Sequence, residues 1–138
     1  MKYGSLIMEK KDYLTLKRIL NFHRFYEDYA HKDALEQLGE RIDQALVEDE
    51  QDIPDDVVRL NSKVIVEFVQ GAIQTFQLVP STRGNLEKNM ISVVSTLGAS
   101  LVGLAVGDHI QLGFPSDVQS FKIVGVEQSH QLSSSFDL

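Results

Sequence analysis

ISVVSTLGASLVGLAVGDHIQLGF, residues 91–114, is the stretch of sequence that decides the fold. Its three glycines, Gly98, Gly103 and Gly107, lie between two apolar runs, and Asp108 directly follows the last of them. Because glycine has no Cβ, Gly98 and Gly103 would let a short helix lie close on a sheet. Gly107 and Asp108 are typical of a turn. The pattern predicts a small helix packed on a sheet, followed by a turn into another strand.

The residues around these glycines predict one strand and one helix. Met90–Val94 is a short run rich in β-branched residues and predicts a strand. Thr96–Leu104 predicts a short helix. Ser95 is its predicted N-cap, since a serine hydroxyl accepts hydrogen bonds from the first N–H groups of a helix.

The spacing of Gly98 and Gly103 also begins like a phosphate-binding loop. Such a loop needs Lys and then Ser or Thr after its second glycine, because the lysine contacts the phosphates. Here Leu104 and Ala105 follow, and residues 95–107 contain no cation. The glycines therefore predict a structural role, and we expect no nucleotide or other cofactor. The histidines show no metal-ligand spacing, so we expect no metal site; they are His23, His31, His109 and His130.

The rest of the second half predicts a mainly antiparallel sheet. Residues 62–69 and 72–79 are two strand-like runs on either side of Gln70-Gly71, which indicates a hairpin. Residues 108–114 and 118–128 predict a last hairpin through Pro115-Ser116-Asp117. With one short helix among five strands, the fold class is α+β.

The first half predicts a short antiparallel helical hairpin, a coiled-coil arm. Residues 9–22 place apolar side chains on one helical face, and residues 34–48 do so at 3-4-3 spacing. Asp33 and Glu36 resemble a capping box at the start of the second helix. At 1.5 Å per residue, helices of this size make an arm about 20 Å long.

An acidic joint around Pro54, residues 48–56, predicts the boundary between the two parts. We therefore expect a helical arm over 1–52 and a second domain over 53–138 with a frayed tail. Charge supports the division, because residues 1–56 hold 14 acidic and 8 basic side chains, against 6 and 5 in residues 57–138.

Composition excludes several classes of protein. The 138 residues carry a net charge of −7, so the chain has no bulk attraction to nucleic acid, and we expect no direct binding to it. No cysteine is present, which excludes a disulfide framework. No apolar run reaches the roughly 20 residues of a membrane span, and the N-terminus lacks the apolar region of a signal peptide. We expect a cytoplasmic protein with no membrane partner.

Roughly residues 54–128, which include the glycine stretch, resemble the C-terminal domain of the GreA/GreB transcript-cleavage factors. That family reads I-S-x-x-S-P-x-G-x-A-L-x-G-x-x-x-G-D at this point. Thr96 stands where the family usually has proline, and Ser100 where it usually has alanine. The matching residues are Ile91, Ser92, Ser95, Gly98, Leu101, Gly103, Gly107 and Asp108.

A second run is most similar to the Rnk-type members of this family, the regulators of nucleoside diphosphate kinase. It is carried by Pro54, Asp56, Val57, Val58, Asn61 and Ser62. The resemblance implies an FKBP-like domain without prolyl isomerase activity, which docks on RNA polymerase at the rim of the secondary channel. It also implies a regulator that competes with Gre factors.

The resemblance also indicates which residues to test. In Gre factors the loop between the short strand and the short helix contacts polymerase, and here it is Val94, Ser95, Thr96 and Leu97. The alternative is that Val94 and Leu97 are core residues and Ser95 is only a cap. Acids at the Gre arm tip help to hold a catalytic magnesium, and Asp28 and Asp33 flank the corresponding connection. Because the arm is short, we expect no stimulation of transcript cleavage and no catalytic residue.

Two other functions stay open on the sequence. One is an FKBP-type prolyl isomerase, but the chain has no tryptophan, and few aromatic residues follow Phe76. The other is an adaptor that binds a different protein through its acidic arm. We expect a binding protein and not an enzyme.

Overall fold

The first half of the protein consists of two helices between two short strands. The computed structural model of the protein describes residues 2–26, 32–80, 85–112 and 119–128. In chain order the first elements are β1 (Ile7–Glu9), α1 (Lys10–Tyr26), α2 (Lys32–Gln44) and β2 (Leu46–Glu48).

Helix α2 ends earlier than its apolar spacing predicts. Helix α1 ends at Tyr26, four residues beyond the predicted end at residue 22. The predicted second helix ran to residue 48, but the chain leaves the helix after Gln44 and pairs with β1 in parallel, with Ile7 opposite Leu46. The Leu46 N–H donates to the Leu6 carbonyl at 2.8 Å. Backbone pairing therefore replaces the last helical turn. The connection at residues 27–31 lies outside the described residues, so the antiparallel hairpin stays a prediction.

The second half forms a five-stranded sheet with one short helix. The elements are β3 (Lys63–Phe68), β4 (Ile73–Val79), β5 (Met90–Ser92), α3 (Thr96–Leu101), β6 (His109–Leu112) and β7 (Gln119–Glu127). The strand order is β5-β4-β3-β7-β6, so the last long strand of the chain lies beside the central β3. Together with the two helices, this arrangement confirms the α+β class.

Most of the sheet is antiparallel, as predicted. The β3–β4 pair and the β6–β7 pair are antiparallel, and β4 and β5 are parallel. The turn between β3 and β4 uses Gly71 at φ +95°, a conformation that favours glycine. The turn predicted at residues 115–117 lies outside the described residues, as does the predicted frayed tail at 129–138.

One buried cluster runs from the helices into the sheet. Leu16 of α1 and Leu38 and Ile42 of α2 are almost fully buried, in the same cluster as Val64 of β3 and Ile123 of β7. Each such side chain contributes about 1.5–3 kcal/mol by leaving water. The arm is therefore packed against the sheet domain, and the division at residues 52 and 53 stays a prediction.

Candidate functional site

Three hydrogen bonds made by the hydroxyl groups of Ser92 and Ser95 hold the turn between β5 and α3. The Ser95 hydroxyl donates to the Ser92 carbonyl at 2.6 Å and accepts from the Gly98 N–H at 3.0 Å. The second bond is the N-cap of α3, as predicted. The Ser92 hydroxyl accepts from the Val94 N–H at 3.1 Å. These bonds fix the direction in which α3 leaves the sheet.

Gly98 lies directly against the end of β5. A Cβ at this position would be 2.0 Å from the Ser92 carbonyl oxygen, which is closer than any real contact. The predicted close approach of helix to sheet is confirmed here. Helix α3 ends at Leu101, before the predicted residue 104, because Gly103 takes φ +85° and its N–H donates to the Val58 carbonyl at 3.0 Å.

Asp108 closes the turn that follows α3. Its carboxylate accepts from the Ala105 N–H at 2.9 Å and from the Lys2 N–H at 2.7 Å. Gly107, at φ +96°, supplies the positive φ that the turn requires. Asp108 is only 7% exposed, so its carboxylate serves the backbone of the turn.

Helix α2 holds α3 through two polar side chains. The Gln37 amide donates to the Ser100 hydroxyl at 3.0 Å, and that hydroxyl donates to the Thr96 carbonyl at 2.8 Å. The Arg41 guanidinium donates to the Val102 carbonyl at 2.9 Å. Burial lowers the pKa of Arg41 to about 10, which leaves it charged at neutral pH. Ser100, where the Gre pattern has alanine, is thus a contact between arm and domain.

The four predicted docking residues differ in their exposure. Val94 is fully buried, and Leu97 is half-buried and packs against the core. Ser95 is half-buried and occupied as a cap, while Thr96 is exposed. Only Thr96 among the four presents an exposed side chain, so any contact made by this turn centres on it.

The two predicted tip acids cannot be placed beside this turn. Asp28 lies outside the described residues. Asp33 falls within α2, which begins one residue earlier than the predicted cap, and its side chain also lies outside what the structure describes. In the described part of the chain, no group of three or more His, Cys, Asp or Glu side chains is placed to hold a metal ion.

A charge cluster at the base of the arm was not predicted. Arg59 lies between the carboxylates of Glu9, Asp12 and Glu50, at 3.8, 3.6 and 3.6 Å. Glu9 accepts from the Asp12 N–H at 3.0 Å, and Asp12 accepts from the Leu60 N–H at 3.1 Å. Burial raises the pKa of the Asp12 carboxyl above its ordinary value of 3.8. The cluster joins α1 to the chain that enters β3.

A buried glutamine was also missed by the sequence reasoning. The Gln128 amide donates to the carbonyls of Asp55 and Val57 at 3.0 and 2.6 Å, and accepts from the Ser62 hydroxyl at 2.7 Å. No local pattern marks a lone glutamine near the end of a strand as a core residue. Its partners lie about seventy positions away along the chain.

One concave site adjoins both the charge cluster and the buried Gln128. It is a pocket of about 390 Å³ between the acidic joint and the start of the sheet domain. Its lining residues are Glu50, Gln51, Ile53, Pro54, Asp55, Arg59 and Gln128. Among the helices described, none combines the length and the apolar character needed to cross a membrane.

Comparison with known proteins identifies related transcription factors. The family described as "Transcription elongation factor, GreA/GreB, C-term" matches residues 53–128. The transcription elongation factor GreA of Clostridium acetobutylicum is 34% identical over 92 residues, which cover 66% of this chain and 58% of that protein. The regulator of nucleoside diphosphate kinase of Escherichia coli is 31% identical over 91 residues, covering 65% of this chain and 67% of that protein.

A solved structure extends the likeness beyond the sheet domain. The prokaryotic transcription elongation factor GreA/GreB from Nitrosomonas europaea superposes with a TM-score of 0.73 at 25% identity, over 90% of this chain and 100% of that one. The chain spans less than two thirds of the length of the GreA protein from C. acetobutylicum. Because the family match covers more than half of the residues, the chain belongs to the GreA/GreB C-terminal family of transcription elongation factors.

Proposed function

We propose that the protein is a cytoplasmic transcription regulator of the Rnk/Gre type that binds RNA polymerase. The observation that carries the proposal is the family match over residues 53–128, which includes the glycine motif and the turn that precedes α3. The sheet domain, FKBP-like in our proposal, docks at the rim of the secondary channel. There the protein competes with Gre factors for the same place.

The size of the arm supports a regulator that does not stimulate transcript cleavage. Helix α1 has 17 residues and α2 has 13. At 1.5 Å per residue these lengths are about 25 and 20 Å. Tip acids act on cleavage only if the arm carries them to the reaction centre, and in our proposal an arm of this length does not do so. Occupation of the docking site alone then blocks a cleavage factor.

Thr96 is the centre of the proposed polymerase contact. It is exposed on the first turn of α3, next to the half-buried Ser95 and Leu97. The fully buried Val94 supports the turn from within and is not itself a contact. Arginine at position 96 would add a long charged side chain to this surface without removing a buried contact.

The first experiment measures binding to core RNA polymerase by the wild type, Thr96→Arg and a matched control, Thr75→Arg. Thr75 is exposed on β4, opposite Ile65 and away from the β5 end of that strand. We expect Thr96→Arg to weaken binding by about tenfold and the control to change it by less than about twofold. Equal binding by both folded variants would reject the Thr96 surface.

The second experiment tests the mode of action on a backtracked elongation complex. We expect no transcript cleavage with this protein alone, and inhibition of cleavage when it is added with a Gre factor. Robust cleavage that Asp33→Ala abolishes would show that the tip acids are active after all. Lack of competition at saturating protein would show that it does not share the Gre docking site.

A further inference from the structure

We infer that the outer edge of β2, with the acidic segment that follows it, is a docking surface for a basic, extended segment of another protein. We call it the β2 surface; it consists of Leu46, Val47, Glu48, Asp49, Glu50 and Asp52. It is separate from the turn at Thr96. The inference therefore does not rest on the proposed polymerase contact.

The backbone pairing leaves β2 at the end of its sheet. Strand β1 uses both of its edges, because it pairs with β2 along one of them and the Ile7 N–H donates to the Gly103 carbonyl at 3.2 Å on the other. Strand β2 has β1 as its one strand partner among the described residues. The backbone N–H of Leu46 points towards β1, where it donates to the Leu6 carbonyl. Because the backbone N–H and carbonyl groups of successive residues in a strand point to opposite edges, those of Val47 point away from β1. An added strand would find one donor and one acceptor there.

The side chains of β2 are apolar and yet exposed. Leu46 is 50% exposed and Val47 is 40% exposed, and they are neighbours on a strand at the edge of a sheet. A strand edge of this kind is a template for pairing unless charge or a covering element protects it. Here the edge is short, so side-chain contacts must contribute much of the affinity.

Charge decides what kind of segment can pair with β2. The residues that follow Val47 include four exposed acids within five positions, Glu48, Asp49, Glu50 and Asp52. A second copy of the chain would bring two such segments together, and like charges at an interface are unfavourable. A partner with lysine or arginine beside aliphatic side chains matches both the apolar edge and the acids.

The adjoining pocket can take a basic side chain of the partner. Its wall includes Glu50, whose side chain is 58% exposed although it also faces Arg59. Among the residues that the structure describes, Arg59 is the one cation paired with these three carboxylates, so the cluster of Glu9, Asp12, Glu50 and Arg59 keeps a negative balance. At about 390 Å³ the pocket has room for a lysine or arginine side chain.

The experiment uses a fluorescent peptide of alternating lysine and valine, titrated with the full chain. Two matched peptides alternate glutamate with valine and lysine with glycine. We expect the lysine–valine peptide to bind at least about tenfold more tightly than either of the others. In NMR spectra of the protein, the backbone amide signals that shift when this peptide is added should centre on Leu46–Glu48 and Glu50.

Two double variants locate the surface. The double variant Leu46→Ser with Val47→Ser removes the apolar contact and should weaken binding of the lysine–valine peptide about tenfold. Its control is Val69→Ser with Ile73→Ser, since these side chains at the β3–β4 turn are also exposed. Because all four side chains are exposed, both variants should keep the fold, which circular dichroism verifies.

A third variant tests the acids. The double variant Glu48→Gln with Asp52→Asn should weaken binding of the lysine–valine peptide about threefold and make its affinity less dependent on salt concentration. Glu87→Gln with Glu127→Gln, two exposed acids elsewhere, is the control and should leave binding unchanged.

Several outcomes would overturn the inference. They are no binding of the lysine–valine peptide, equal binding of the lysine–glycine peptide, equal loss in a control variant, and amide shifts centred on Val69. A dimer in sedimentation at the concentrations used, lost in the Leu46→Ser and Val47→Ser variant, would assign β2 to a second copy instead.

Discussion

Helices α1 and α3 begin in a similar way but are supported differently. In α3 the Ser95 hydroxyl accepts from the Gly98 N–H, and in α1 the Glu9 carboxylate accepts from the Asp12 N–H, both at 3.0 Å. The serine is half-buried and its other partner is Ser92, three positions away. The carboxylate of Glu9 is buried and needs a cation, which Arg59 supplies from far along the chain.

The difference shows two ways of fixing a helix on the same sheet domain. The start of helix α3 is fixed by short-range hydrogen bonds and by a glycine that admits no side chain. Helix α1 is fixed by charges that meet only after the chain has folded. The first arrangement depends on shape and the second on electrostatic balance, so different substitutions should disrupt them.

The largest expected effect is at the glycine of α3. Gly98→Ala would put a Cβ 2.0 Å from the Ser92 carbonyl oxygen, so the backbone of β5 or α3 must move. We expect the free energy of unfolding to fall by more than about 3 kcal/mol in urea titrations. The control is Gly39→Ala in α2, where the nearest atom is Leu20 Cδ1 at 4.0 Å. There alanine should raise stability by about 0.5–1 kcal/mol. Equal effects at both positions would contradict the close packing of α3.

The next effect is at the cation that supports α1. Arg59→Met keeps much of the side chain's bulk but leaves the buried Glu9 carboxylate and the partly buried Asp12 carboxylate without their cation. Because the contacts exceed 3.5 Å, we expect a loss of about 2 kcal/mol, below that of a tight buried pair. Lys122→Met, at an exposed position on β7, should change stability by less than about 0.5 kcal/mol. A loss no greater than in this control would mean that Arg59 does not support α1.

A smaller effect is expected at the cap of α3. Ser95→Ala removes the acceptor for the Gly98 N–H and should cost about 1 kcal/mol in the same titrations. Thr96→Ala, one position along, removes an exposed side chain and should cost less than about 0.5 kcal/mol. If the two variants were equally stable, the cap would be of no energetic consequence.

The smallest effect is the pH dependence contributed by Asp12. Burial raises its pKa above 3.8 in the folded protein, so the folded state binds this proton more tightly than the unfolded chain does. Its contribution to stability therefore declines as pH rises from 3.8 through the folded pKa. The stability of the wild type relative to Asp12→Asn should fall over that range, measured by urea unfolding at several pH values. A relative stability that rises with pH would contradict the dominant role of burial.

Local signals in the sequence predicted α3 well. Ser95 as a cap and Gly98 as a point of close contact each depend on residues within a few positions of one another. The two hairpins of the sheet were also predictable, because alternating runs and turn residues are local. The end of α2 was not predicted, since the apolar spacing continues through Ala45 while Leu46 pairs with β1.

The site could be predicted only in part. The turn at residues 94–97 was located from its motif, but residue type alone left open whether Val94 faces the core or the solvent. The contacts of Arg59 and Gln128 depend on partners from distant parts of the chain, which a single sequence does not reveal. Gln37 and Ser100, which join α2 to α3, are 63 positions apart and were missed for the same reason.

The strand order has a consequence for how the protein is made. Central strand β3 is flanked by β7, which leaves the ribosome long after β3 does. The buried Gln128 amide, which the Asp55 and Val57 carbonyls require, is synthesised later still. During translation the β3–β4 hairpin therefore lacks its neighbouring strand β7 until the end of the chain has been made, as in other folds with distant pairings. A nascent chain stalled before β7 emerges should therefore stay sensitive to protease, and should become resistant only after residue 128 has cleared the exit tunnel.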